Sequence, residues 1–526
     1  MPVLPFPGIA MTDSLIQLQP QQSTNVPSRP TTIWHRVSTS GFDRVDSLIL
    51  IWLRVAVAVA IYVWANDYLA DETYRHVFIE PRVLMKYAEF EWVLLWPGDG
   101  MYWHFVITKI AAICLAAGLV TRLSAAILCF SIAYVLLVEA TIYVNHYYLL
   151  SMTAGLLVFL PAAGQWSVDR LIGLTRTGPT MWRWQLWMLR FQLGMPYVFG
   201  AMAKLNGDWL RGQPMESILR LRTSWGGRPW SEIPGMVEAF AWGGFAFDLL
   251  VVPLLMWKRT RLIAVVWAML FHLTNAATLD IGVFPWFMLA TLVVFFPVDF
   301  LRRRMRMFVG DTRDLIPHSD VATLVSRLDR VAATMAIVYV FIHICLPMRP
   351  AIYPGDSNWN ERGHRFAWRM MLYHKHALTH YLVVDKNSDE FLFVPSTTVL
   401  TGYQALRDDH RPEMIRQTAV AISRTATELG VTENRVYALA LVSLNGRKPT
   451  PIVDPTIDLT QVRQGWWRDD WVRQDPGPLS DPPWTIDKEQ WWSVLELPEP
   501  FTALQGRTPN ELQEFLKQQA TKKATP

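Results

Sequence analysis

The sequence predicts a polytopic α-helical membrane bundle of about nine transmembrane helices, followed by an extracytoplasmic α+β domain. Three observations carry that expectation. Hydrophobic residues make up 51% of the 526 positions and charged residues 18%, a balance that excludes a disordered or highly charged chain. The apolar residues are gathered into long blocks before about residue 350, and runs such as LILIWLRVAVAVAIYVW and LSAAILCFSIAYVLLVEATIY approach or exceed the ~18–20 residues that cross a bilayer core. Beyond that point alternating apolar and polar residues and turn signals take over.

Residues 1–44 are polar and rich in Pro, Gln, Ser and Thr, without the basic start and apolar middle of a signal peptide, and read as a disordered arm. Apolar blocks follow at 46–65, 103–121, 123–142, 146–161, 186–203, 236–256, 261–279, 281–297 and 331–347, giving a transmembrane domain over 45–347. Positive residues between blocks set the orientation. Arg122, the group Arg170, Arg176 and Arg183, the group Lys258, Arg259 and Arg261, and the run from Arg302 to Arg306 fall on one side, expected to be cytoplasmic together with the N-terminus. The first loop on the other side is acidic, and only the arginines of 204–235 run against the rule.

The domain expected over 348–490 opens with HYLVVD and FLFVP around Asp385-Lys386-Asn387-Ser388-Asp389, a β-hairpin pattern. Pro412 near the start of MIRQTAVAISRTATELG predicts a helix stopped at Gly430. RVYALALVSL before the turn Asn445-Gly446 predicts another strand. From about 465 the chain is rich in Trp, Pro and Asp without a period, and 491–526 reads as a tail.

The net charge of +4 gives no reason to expect a nucleic-acid partner. Cys114, Cys129 and Cys345 lie inside apolar blocks and lack ligand spacing, so neither disulfides nor a zinc cluster is expected. His374, His376 and His380 alternate along a strand, but no carboxylate or cysteine at suitable spacing completes a site, and no metal is expected. There is no GxSxG, Walker or HExxH motif.

Ionisable groups at membrane depth are expensive and are the first functional candidates. Asn145-His146 opens the fourth block, Lys204 closes the fifth with Arg190 and Gln192 deeper in it, and His272 with Asn275 shares a face of the seventh. Lys204 reads either as a snorkelling lysine or as an inward, desolvated one able to act as a base. His146 is an interfacial histidine or a proton shuttle. His272 and Asn275 read first as a hydrogen-bonding pair between helices.

Six segments together resemble the vitamin K-dependent γ-glutamyl carboxylases and their bacterial relatives, which carry a so-called horizontally transferred transmembrane domain. They are NHYYL (145–149) with QWSVDRL (165–171), LRFQLGMPYVFGAMAKLNGDWLRG (189–212), FHLTNAATLDIGVFPWFML (271–289), WNERGHRFAWRMML (359–372) and VSLNGRKPTPIVDPTIDL (442–459), in order from about 45 to 475. The resemblance implies a lyase that converts peptide glutamate to γ-carboxyglutamate with reduced vitamin K, O2 and CO2, releasing vitamin K epoxide. It places the catalytic base at Lys204, followed by Asp208 and Trp209, and the carboxylation step at His146 beside Asn145. It maps the quinone pocket onto Tyr197, Phe284, Met288, Met370 and Met371, to which we add His272. Substrate-binding positions are expected at Trp359, Glu361, Trp368 and Arg369. In that scheme neutral Lys204 deprotonates the hydroquinone, O2 adds, and the resulting alkoxide removes the γ-proton of glutamate in a water-poor site.

The family's WDMMVH reads WRMMLY here, with Arg369 and Tyr373 in place of an acid and a histidine. That departure keeps open an enzyme that oxygenates a quinone without carboxylating protein; a non-enzymatic lipid-binding or transport protein is the other alternative. The implied partners are a glutamate-containing protein, a quinone, the bilayer and a quinone or epoxide reductase. The absence of an Asn-x-Ser/Thr acceptor favours a bacterial plasma membrane over the endoplasmic reticulum.

Overall fold

The computed structural model describes residues 40–309, 325–463 and 470–518, apart from positions 223, 226–227, 280, 389, 481, 509, 513 and 517. The expected arm up to residue 39 and the end of the tail from 519 lie outside the described residues.

Every apolar block contributes a helix. They are α1 (Leu48–Leu69), α2 (Gly100–Ala117), α3 (Thr121–Val138), α4 (Asn145–Phe159) and α5 (Arg183–Lys204), followed by two short helices, α6 (Gly207–Leu210) and α7 (Met215–Arg222). Then come α8 (Met236–Met256), α9 (Arg261–Thr278), α10 (Phe284–Thr291), the basic α11 (Val298–Val309) and α12 (Arg327–Met348).

Six of these helices are long and apolar enough to cross a membrane, or seven if α10 and α11, which meet at 105°, count as one bent span. The expected nine is therefore not reached on length and composition. α4 has only 15 residues, and α5 carries Arg183, Arg190 and Lys204, because both helices are packed inside the bundle and need not be lipid-soluble all round.

One continuous core holds α1 to α5 with α8, α9 and α10. Arg54 of α1 is buried and donates to the Ala162 and Trp166 carbonyls at 2.8 and 2.7 Å, joining α1 to the end of α4. Asp169 accepts from the Val120 and Thr121 amides and from the Thr121 hydroxyl, satisfying donors that the start of α3 leaves open. At the same end β1 (Arg44–Asp46) pairs with β2 (Thr180–Trp182), and Arg302 of α11 pins Asp46 through an ion pair.

The second domain is a four-stranded antiparallel sheet in the order β4-β3-β5-β6, with β3 Lys375–Asp385, β4 Phe391–Pro395, β5 Asn434–Leu444 and β6 Thr450–Pro451. The expected hairpin is β3–β4, and the expected helix is α14 (Pro412–Glu428), preceded by α13 (Gly402–Asp408). Side chains alternate across β5. Val436, Ala438, Ala440, Val442 and Leu444 pack with Met414, Ile415 and Ile422 of α14, while Leu439 and Leu441 point to the other face. That face is covered by Trp491, Trp492, Leu495, Phe501 and Leu504, all buried. The stretch expected as a tail is thus, over 491–504, part of the domain core, which explains why β5 is apolar on both faces.

The two domains are bonded at several points. The Gln417 side chain of α14 accepts from the Lys86 amide at 2.9 Å and donates to its carbonyl at 2.7 Å. Glu139, fully buried just after α3, accepts from the Met85 and Thr141 amides and from Gln404 of α13. The Asn445-Gly446 turn, with both residues at positive φ, leads to Arg447, which grips Asp208 of α6 in a fork at 2.7 and 2.9 Å; Asn445 adds a third bond at 2.8 Å.

Candidate functional site

α5 ends on Lys204 at the junction of the domains. Its ammonium does not snorkel to an interface: it is buried and paired with Asp248, midway along α8, and lies 5.1 Å from the centre of the Trp209 ring. The close approach of α5 and α8 depends on Gly200, where a Cβ would sit 2.9 Å from Asp248 Oδ2. Asp248 is a residue that sequence reasoning passed over. The signal was present, since it is the one carboxylate inside AFAWGGFAFDLLVVPLLM.

Lys204 and Asp248 face a cavity of about 310 Å3 whose wall is mostly apolar, with Phe240, Phe271, Phe284, Ile218 and Leu279 among its lining. Asn145 and His146 enter from the start of α4. The Asn145 amide is fixed at both ends, accepting from the Tyr143 hydroxyl at 3.0 Å and donating to the Arg369 carbonyl at 2.9 Å. The His146 ring lies against Tyr147 and Phe284. Tyr197 and His272 are joined by a 2.8 Å hydrogen bond across α5 and α9, so His272 pairs with Tyr197, and Asn275 lines the cavity one turn further on.

The outer side of the cavity is made by the segment 359–372. It holds four non-glycine residues in the left-handed region, Glu361, Phe366, Trp368 and Met371, with φ between 55° and 59°. Such conformations cost of the order of 1–3 kcal/mol each and persist only where the surroundings impose them. Here the turns bring Glu361, His364, Arg365, Arg369, Met370 and Met371 to the cavity mouth.

Glu361 is the centre of this rim. Its carboxylate accepts from the Tyr373 hydroxyl at 2.6 Å and pairs with Lys375 at 2.9 Å, Arg411 at 3.3 Å and His410 at 3.5 Å. Burial alone would raise its pKa, but Lys375, then Arg411, outweigh burial and hold it well below the carboxylate range. Burial pushes His364 and His410 down to about 3, so both imidazoles are neutral near pH 7. For Asp208, burial is outweighed by the hydrogen bonds from Arg447 and Asn445, and its carboxyl is lowered. No sequence signal joined Lys375, His410 and Arg411 to Glu361; the fold alone brings them together.

Of the expected site residues, Lys204, Asn145, His146, Tyr197, Phe284, His272, Met370, Met371, Glu361 and Arg369 line this one cavity. Met288, Trp359 and Trp368 do not. Met288 is buried in the bundle core. Trp359 is enclosed in the outer-domain core, donating to the Arg473 carbonyl at 2.8 Å. Trp368 is buried with its ring 5.0 Å from that of Tyr148. The two departures from the family pattern are both engaged, Tyr373 on Glu361 and Arg369 on Asn358 at 2.7 Å. Among the described residues no group of three or more His, Cys, Asp or Glu is arranged to hold a metal ion.

Two family models match the chain. The HTTM domain covers residues 42–300, and the vitamin K-dependent gamma-carboxylase lumenal domain covers 328–476. The chain belongs to the vitamin K-dependent γ-carboxylase family. The first match ends within α11 and the second begins at the start of α12, and the cavity of this carboxylase-family protein is built from both parts: Lys204 and Asp248 from the first, Glu361 and Arg369 from the second. No solved structure matches the chain. The family, with several apolar helices long enough to span, makes this a membrane protein.

Proposed function

We propose that this protein is an integral-membrane carboxylase that converts peptide glutamate to γ-carboxyglutamate with reduced vitamin K, O2 and CO2, and that vitamin K epoxide is the co-product. The observation that carries the reading is the buried Lys204–Asp248 pair in a cavity shared with Asn145 and His146. The cavity suits a naphthohydroquinone: its volume lies in the usual range for ligand pockets, and aromatic and aliphatic side chains dominate the wall. Phe284, Tyr197, Met370 and Met371 would hold the ring. The hydroquinone, once deprotonated and oxygenated, supplies the strong base that no side chain can be, because the γ-hydrogen of glutamate is so weakly acidic.

The protein's own part is proton handling and exclusion of water. Lys204 takes the hydroquinone proton, and Asp248 stabilises the ammonium that results. The transfer leaves Lys204 as the ammonium partner of ionised Asp248 and moves the uncompensated negative charge from that carboxylate to the hydroquinone oxygen. Asn145, locked by Tyr143 and the Arg369 carbonyl, presents a fixed dipole beside His146, which holds a proton near the carboxylation centre. The apolar wall keeps bulk water from quenching strongly basic intermediates. The N-terminus lies on the cytoplasmic side, and the second domain presents the glutamate from the opposite side.

The test uses the full-length detergent-solubilised protein with reduced vitamin K, O2, bicarbonate and a glutamate-containing peptide. Epoxide and carboxylated peptide are both quantified by mass spectrometry beside Lys204→Ala. Both products are expected from the wild type, and both should fall roughly 10²–10⁴-fold in the variant, the usual effect of removing a general base. Epoxide without carboxylated peptide would mark a quinone oxygenase instead.

A further inference from the structure

A second cavity, of about 650 Å3, lies against the first on the outer-domain side, and Glu361, Arg365 and Arg411 face both. Its lining is unlike that of the first. Tyr87, Phe90, Tyr353, Phe366 and Trp471 supply aromatic surface, and Lys86, Arg349, Arg362, Arg365 and Arg411 supply cations.

Three of them, Lys86, Arg349 and Arg365, make no ion pair among the described residues. Lys86 donates to the Val93 carbonyl at 2.7 Å. Arg349 donates to the Leu346 and Arg365 carbonyls at 3.2 and 2.7 Å. Arg365 sits over the Tyr87 ring at 4.7 Å. Of the three lining carboxylates, Glu361 is engaged by Lys375 and Arg411, Glu413 by Arg416, and Glu89 is exposed. Positive charge is therefore fixed in place, with its carbonyl and ring supports already made, and faces the cavity.

We infer that this second cavity binds an acidic stretch of polypeptide. Aromatic walls and separated cations suit a chain with several carboxylates and a backbone, and the volume exceeds what a lone bicarbonate or phosphate fills. Resting on the function proposed above, that stretch is the flank of the target glutamate, and the shared wall of Glu361, Arg365 and Arg411 is where the glutamate side chain passes toward Lys204. Glu361 cannot be displaced by an incoming carboxylate at small cost, because it is held by Lys375 and Tyr373 as well as Arg411. Lys86, Arg349 and Arg365 are the cations assigned to the ligand; Arg362, 4.8 Å over the Tyr353 ring, lines the same cavity.

The test measures anisotropy of a fluorescein-labelled peptide of alternating Asp, Gly and Ser, which contains no glutamate and so cannot be consumed, with the full-length protein in detergent. Lys86→Gln, Arg349→Gln and Arg365→Gln should each weaken binding roughly two- to fivefold, and the three together by tens of fold, as expected for single partly exposed charge pairs. Affinity should fall with added salt, and the same peptide with Asn for Asp should bind weakly to all forms. Quenching of tryptophan fluorescence by vitamin K quinone checks that each variant is folded; a single variant that passes suffices if the triple one does not. Unchanged peptide affinity in variants that still bind the quinone overturns the inference. Competition by free glutarate as effective, charge for charge, as that by unlabelled peptide overturns it too, in favour of a small-anion site. Charge-dependent peptide binding in a protein that carboxylates nothing keeps the inference and removes the proposed function. Carboxylation with charge-independent affinity does the reverse.

Discussion

On the membrane side of the central cavity one lysine meets one carboxylate, Lys204 against Asp248, among phenylalanines and leucines. On the outer-domain side a single carboxylate, Glu361, is met by Lys375, Arg411, His410 and the Tyr373 hydroxyl. The two arrangements do different work. A pair with one partner on each side suits the proton transfer proposed for Lys204. A carboxylate with several donors stays ionised and fixed, which suits a wall. The difference lies in the number of partners, since the side chains of both carboxylates are largely enclosed, 5% exposed for Asp248 and 10% for Glu361.

The comparison breaks most sharply at Glu361. Glu361→Gln leaves Lys375 and Arg411 buried without their carboxylate and should cost about 3–5 kcal/mol, read as a lower thermal unfolding midpoint in detergent, with Glu361→Asp recovering part of it. An unchanged midpoint would mean that the rim is not held together by charge.

Acid should act on the same rim with a smaller effect. His364 and His410 are neutral in the folded protein at values of about 3. The unfolded chain therefore binds their protons first, and stability falls as pH drops from about 6.5 toward 3. Glu361, lowered in the fold, adds stability that is complete above about pH 4.3 and is lost as pH falls through its folded value. Thermal midpoints between pH 8 and 4 should decline below about 6.5, and a flat profile would contradict the burial of neutral histidines. The smallest effect is expected at the floor. In Gly200→Ala the new Cβ meets Asp248 Oδ2 at 2.9 Å and should cost about 1 kcal/mol, while epoxide formation falls severalfold because Asp248 positions Lys204.

Much of this arrangement was legible in the sequence. The apolar blocks are imposed by the bilayer, and each became a helix; the hairpin, Pro412 and the Asn445-Gly446 turn carry local signals that tertiary context did not override. Six or seven of the nine expected spans meet the length and composition of a membrane-crossing helix, α4 being short and α5 carrying three cations. The burial of Trp491 and Trp492 was missed because the segment has no period of its own and finds its place only against the second face of β3 and β5. At the site, Lys204, Asn145, His146 and Glu361 stand out as residue types in quoted motifs. The cationic partners of Glu361, Lys375 and Arg411, are separated from it by 14 and 50 positions and belong to no motif. Trp359 and Trp368 show the converse: they lie in a motif with cavity residues, yet face the cores on either side.

The clasp between Asp208 and Arg447 joins positions 239 residues apart. At a synthesis rate of about 5–20 residues per second, Asp208 of α6 waits roughly 10–50 s for its partner. Lys204 and Asp248, only 44 positions apart, can meet long before that. The Lys204–Asp248 pair can thus form before the second domain is made, whereas the cavity, whose wall includes Glu361, Arg369, Met370 and Met371, is complete only afterwards.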